Sequence, residues 1–182
     1  KRDALEQVSR AMALMVPIAI ASLSLGTFVA ISVIGFLGGR AGGGVHAPDL
    51  GAERKHIVVP DRDLSGPTKT NGFAKAFPER FFNIGVAEAN MTGIAAGLSF
   101  SGLTVFCSSF AMFSTGKAYE QVRQEVALPN ADVKVCATHA GLTVGEDGAS
   151  HQVLEDIGLM RELPHMHVVV PAGGLEAEQA LR

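Results

Sequence analysis

FFNIGVAEANM, residues 81–91, decides how this chain is read. It begins as an apolar run of strand length, turns at Gly85, and passes into AEANMTGIAAGLSF, whose small residues suit a helix that approaches a neighbour closely. Glu88 stands at the handover, among Val86, Ala87 and Ala89. A carboxylate in that setting has two readings. It is an exposed acid in a first helical turn, where the helix dipole favours negative charge. Alternatively it is a buried acid that needs a hydrogen-bonding partner, such as the ring nitrogen of a heterocycle with which it shares a proton.

The chain downstream of residue 56 repeats the strand-then-helix pattern. Strands are expected at 56–60, 81–84, 103–108, 133–138 and 167–170, and helices at 70–77, 87–99, 112–126 and 152–162. Strands that are apolar almost throughout, separated by helices, imply an α/β protein: a three-layer arrangement with a mostly parallel sheet and helices on both faces. Ligands in such folds bind outside the carboxyl ends of the strands. The residues expected there are Asp61, Asp63 and Ser65, then Glu88, then Phe110 and Phe113, and finally His139, Glu146, Asp147, Ser150 and His151. Acids, aromatic rings and histidines therefore converge on one edge of the sheet.

Composition narrows the function classes. With 182 residues, 47% hydrophobic and 18% charged, the chain has the makings of one globular core. A formal charge of -3 offers no basic field for nucleic acid. Cys107 and Cys136 lie in separate apolar runs, which suits reduced core thiols in a cytoplasmic protein. No GxGxxG or GxxxxGK[ST] phosphate loop is present. The spacing of His139, His151 and Cys136 does not suit zinc, so no metal ligands are expected. Ser150, His151 and Asp147 are too close in one loop to form a hydrolytic triad.

The first 52 residues read differently. Residues 1–10 suit a helix with Ala4, Leu5 and Val8 on one face. No charge occurs between Arg10 and Arg40, and the stretch at 11–39 is long enough to span a bilayer; the alternative is a buried helix pair or hairpin, encouraged by Pro17, Gly26 and Gly35. Residues 40–52, with Gly42, Gly43, Gly44 and Pro48, read as a flexible linker. The division expected is therefore an N-terminal helix at 1–10, an apolar insert and glycine-rich linker at 11–52, and an α/β domain at 53–182.

Several ordered motifs then carry a family resemblance: PDRDLSGPTKT, AFPERFFNIGVAEANMTGIAAGLSFSG, SSFAMFSTGKAYEQVR and ATHAGLTVGEDGASHQ. They resemble the central, pyrimidine-binding domain of transketolase, in the short or split form in which that domain opens a separate C-terminal subunit. The resemblance implies the thiamine-diphosphate-binding fold, with thiamine diphosphate and magnesium as cofactors. Glu88 falls on the glutamate that contacts the aminopyrimidine ring nitrogen and promotes its imino form. Phe110 and Phe113 match aromatic residues that hold the pyrimidine. His139 and His151 fall on histidines near the sugar, Asp147 on an aspartate that contacts the hydroxyl beside the reacting carbon, and Arg2 on an arginine that binds the sugar phosphate. Asp63 matches an acid near the cofactor and subunit interface, and Gly145 and Glu146 shape the Asp147 loop.

The same resemblance implies transfer of a two-carbon ketol unit between sugar phosphates. It also implies a partner domain or subunit that holds the diphosphate and magnesium, and a homodimer or larger assembly formed through the apolar helices near Glu88. Two departures stand out: Pro67 replaces a serine that helps bind substrate phosphate, and Gly116 stands where many relatives have a third aromatic. The alternatives are a component similar to 1-deoxyxylulose-5-phosphate synthase or a 2-oxo acid dehydrogenase, or a noncatalytic interaction or membrane-tethered domain of the same fold, attached through residues 11–39.

Overall fold

A computed structural model describes residues 28–32, 47–142 and 144–181, with the backbone alone described at 28–32 and 47. Arg2, the helix expected at 1–10 and most of the apolar stretch lie outside the described residues. Six strands form one sheet: β1 (Phe28–Ser32), β2 (Ile57–Asp61), β3 (Phe81–Asn83), β4 (Thr104–Phe110), β5 (Val133–Thr138) and β6 (Met166–Val169). Their order is β3-β2-β4-β5-β1-β6, and every pair of neighbours runs parallel.

Helices cover both faces, as the alternation along the strands requires. Val58, Val105, Cys107, Val133 and Val135 face one side, where they pack with Met91, Ala95 and Leu98 of α3 (Glu88–Phe100). Ile57, Val59, Phe106 and Cys136 face the other, against Leu50 of α1 (Ala47–Glu53), Phe73 of α2 (Asn71–Ala76) and Ala177 and Leu181 of α6 (Gly174–Leu181). Burial of the central strands on both faces explains why they are apolar almost throughout. Burial also pushes the Cys107 thiol up to about 12 and raises that of Cys136.

Between β4 and β5 the chain winds through two π-helical stretches, Met112–Lys117 and Val122–Ala127, joined by a single α turn, α4 (Tyr119–Gln121). Wider i→i+5 bonds mark them, as in Ala118 N–H to the Phe113 carbonyl at 3.1 Å. α3 approaches this segment so closely that a Cβ on Gly93 would sit 2.7 Å from Glu125 Oε2.

Three expectations are corrected. The stretch at 28–32, read within the apolar insert, supplies β1 between β5 and β6, so the strand at 57 is the second of the sheet. Residues 47–52, read as linker, belong to α1: Pro48 lies in the first turn, where its missing N–H costs nothing, and Leu50 is buried. The helix expected at 152–162 is shorter, α5 (Asp156–Arg161), because Gly141 and Val153 bridge by two backbone hydrogen bonds before it can start. Among the described residues no helix is long and apolar enough to cross a membrane.

α1 is held by close packing and by Arg80, which donates to the Gly51 carbonyl at 2.9 Å and stacks 3.9 Å from the Phe77 ring centre. A Cβ on Gly51 would meet Phe73 and Phe77 ring carbons at 2.6 Å. Gly51→Ala is therefore expected to overpack this contact and destabilise the chain by about 2 kcal/mol, more than the helix preference of alanine returns. The shift in the urea midpoint of the full chain measures it.

Candidate functional site

The carboxyl ends of β2, β4 and β5 and the start of α3 meet at one edge of the sheet. β2 ends in Asp61, which is wholly buried. Its Oδ1 accepts from the Leu64 N–H at 2.9 Å, and its Oδ2 accepts from Thr70 Oγ1 at 2.7 Å and Thr68 Oγ1 at 3.0 Å. Burial raises its pKa, while these three hydrogen bonds pull it back down. The network fixes the turn after β2 and with it Arg62.

Arg62 reaches Glu88. The carboxylate of Glu88 is 0% exposed at the first position of α3, with Arg62 Nε against Oε1 and Lys117 Nζ 2.6 Å from Oε2. The two cations neutralise its charge, yet neither contact has the angles of a hydrogen bond, so both oxygens keep unused acceptor capacity. Of the two readings of Glu88 the structure selects the buried acid, as the only described way to place it here is beside two opposite charges. The Arg62 guanidinium also lies over Phe113, 4.3 Å from the ring centre.

Phe113 belongs to a cluster of four rings. Phe110, the last residue of β4, stacks with Phe113 at 6.4 Å and 24°. His139, just past β5, packs 4.1 Å from Phe110, and His151 meets Phe113 edge-on at 5.0 Å and 88°. His139 has a left-handed backbone (φ 55), which turns the chain sharply out of the sheet. Partial burial lowers the pKa of His139, and the negative charge of Asp147 opposes that shift.

The site residues expected from the sequence are distributed as follows. Glu88, Phe110, Phe113, His139 and His151 come together, and Asp147 is near enough to act on His139 through its charge. Gly145 and Glu146 are exposed on the Asp147 loop, with Gly145 at φ 86. Asp63 is exposed beside β3, where it accepts from Asn83 Nδ2 at 2.9 Å. Arg2 lies outside the described residues. Sequence reasoning missed Arg62 and Lys117; the one signal was the position of Arg62 between Asp61 and Asp63, and nothing in the sequence around Lys117 marked it. Among the described residues no group of three or more histidine, cysteine or acidic side chains could hold a metal ion.

Residues 47–182 match the family described as the transketolase pyrimidine-binding domain. The "Putative transketolase C-terminal section" of Methanocaldococcus jannaschii is 53% identical over 147 residues, covering 81% of this chain and 46% of that protein. The transketolase of Homo sapiens is 37% identical over 133 residues, covering 72% of this chain and 21% of that protein. A solved structure described as "Split gene transketolase, inactive beta4 tetramer" has a TM-score of 0.65 at 51% identity, covering 74% of this chain and 43% of that one. The chain thus spans under half the length of these relatives.

Two outcomes follow from the geometry. Arg62→Ala leaves Glu88 fully buried with Lys117 alone, which is 52% exposed, and is expected to cost about 3 kcal/mol in chemical denaturation. In an NMR titration of the chain, His139 is expected to lose its proton below the ordinary histidine value, so that it is neutral at pH 7, and Asp147→Asn is expected to move its midpoint further down.

Proposed function

Because this chain belongs to the transketolase family through its pyrimidine-binding domain, we propose that it supplies the pyrimidine-binding half of a site that transfers a two-carbon ketol unit between sugar phosphates. One observation carries the reading: a fully buried glutamate with two unused acceptor positions lies beside a stacked pair of phenylalanines at the carboxyl edge of a parallel sheet. That combination fits an aminopyrimidine. A flat heterocycle satisfies the aromatic faces, and its ring nitrogen satisfies the acid.

In this reading the cofactor is thiamine diphosphate, which when bound supplies the acyl-anion chemistry that no side chain can. Glu88 holds and exchanges a proton at the pyrimidine ring nitrogen. Phe110 and Phe113 orient the ring and exclude water from it. His139 and His151 take and return hydroxyl protons of the sugar, and the lowered pKa of His139 suits that ring to accept one. Asp147 accepts a hydrogen bond from the hydroxyl beside the reacting carbon, with Gly145 and Glu146 shaping its loop. Asp63 lies toward the subunit interface.

A diphosphate-binding partner subunit or domain holds the phosphates and magnesium. Val86, two residues before α3, and Phe100, its last residue, are 65% and 63% exposed and support a contact between copies of this chain there. Two buried, unpaired cysteines suit a cytoplasmic setting.

The test is reconstitution of the full chain with the diphosphate-binding partner. Thiamine diphosphate with magnesium at about a hundredfold excess over Kd is expected to stabilise the complex by about 2.7 kcal/mol, read as a rise in unfolding temperature. Glu88→Gln is expected to lower kcat for ketol transfer at least about 100-fold while the complex still assembles. A wild-type complex that gains neither thermal protection nor ketol transfer would defeat the proposal.

A further inference from the structure

One side chain engages both of the groups to which the pyrimidine is assigned above. Arg62 sets its Nε against Glu88 Oε1 while its guanidinium lies over Phe113, 4.3 Å from the ring centre. The face of Phe113 turned toward Glu88 is therefore the face that the guanidinium covers. Stacked planes lie about 3.5–4 Å apart, so a heterocycle between the guanidinium and Phe113 would need about 7–8 Å. At 4.3 Å there is room on that face for one flat group and not for two.

The guanidinium also resembles the group it would exclude. It is planar, carries N–H along its edge and rests on an aromatic ring by its flat face, as the amidine edge of an aminopyrimidine can. Its hold on the slot comes from charge and packing: the side chain is 11% exposed, and its buried Nε has no hydrogen-bond partner among the described residues. The Asp61 network fixes the turn that carries Arg62, so a move of the side chain alone is enough to vacate the slot.

We propose that Arg62 occupies the pyrimidine position of the unliganded chain, its guanidinium filling the slot between Glu88 and the face of Phe113, and that the heterocycle enters only when this side chain swings out. The proposal rests on the reading of Glu88 and Phe113 as the pyrimidine site. Lys117 reaches Glu88 Oε2 from a different segment, at 2.6 Å, so the carboxylate keeps one cation while Arg62 is displaced. Arg62 is then a competitor of the cofactor: the measured affinity is the intrinsic one reduced by the fraction of chains whose slot is open. The side chain that stabilises the empty site weakens its filling.

Calorimetric titration of thiamine diphosphate, at saturating magnesium, into the full chain reconstituted with its diphosphate-binding partner tests the competition. Arg62→Ala is expected to lower Kd about 10-fold or more, as removal of an occupant present in nine chains of ten requires. Arg62→Lys, which keeps a cation near Glu88 but leaves the face of Phe113 bare, protects against loss of the fold and is expected to lower Kd by part of that factor. A second readout needs no cofactor: in the free 13C-arginine-labelled chain the Arg62 δ-methylene protons, assigned by their loss in Arg62→Lys, are expected upfield of those of exposed arginines through the Phe113 ring current. Saturation of the complex with cofactor is expected to return them to the ordinary position. Wild-type binding with equal or weaker binding by the variants, or δ-methylene protons at the ordinary position in the free chain, overturns the proposal and leaves the pyrimidine reading standing. Binding by none of the three complexes defeats both.

Discussion

A carboxylate with no exposure is the constraint on which the rest of the site depends. Glu88 can be buried only because Arg62 and Lys117 reach it, and they do so from two different parts of the chain, the turn after β2 and the first π-helical stretch. The interaction thus ties α3, β2 and the segment after β4 at one point. Arg62 is placed in turn by Asp61, whose own buried carboxylate is held by Thr68, Thr70 and the Leu64 backbone. Two buried acids, each compensated differently, define the geometry: Asp61 by neutral donors, Glu88 by cations.

The same logic joins the acid to the rings. Arg62 rests its guanidinium on Phe113 while its Nε meets Glu88, so the plane of the aromatic and the position of the acid are set by one side chain. Phe113 comes from a π-helical turn and Phe110 from the strand end before it. Wider winding after β4 presents a ring and a lysine from one short segment to a shared point, as π-helical turns at functional sites commonly do.

Much of this was legible in the sequence, for reasons that differ by element. The strands at 57, 81, 104 and 133 announced themselves as mainly apolar runs ended by turns, since burial on both faces of the central strands leaves few polar positions to blur them. Phe110, Phe113, His139 and His151 followed from the strand ends. The strand order did not follow, because uniform apolar strands carry no information about their neighbours. β1 was hidden because an uncharged stretch gives hydropathy but no period. α1 was hidden because Pro48 and the glycines before it outweighed Leu50, the residue that buries. Arg62 and Lys117 were hidden because a buried ion pair between distant segments leaves no local pattern.

Charge distribution explains why half a site is the natural reading of this chain. The edge of the sheet carries the buried Glu88 and the exposed Asp147, Glu146 and Asp63, and two of its cations, Arg62 and Lys117, contact Glu88. Both cations are engaged by Glu88, and releasing Arg62 to bind a phosphate would leave the buried carboxylate with Lys117 alone, at a cost of about 3 kcal/mol. Flat rings, histidines and an acid with free acceptor positions suit instead a neutral heterocycle and the hydroxyls of a sugar. Under the proposed function, these electrostatics are what a division between pyrimidine contacts on this chain and a phosphate-holding surface elsewhere would require.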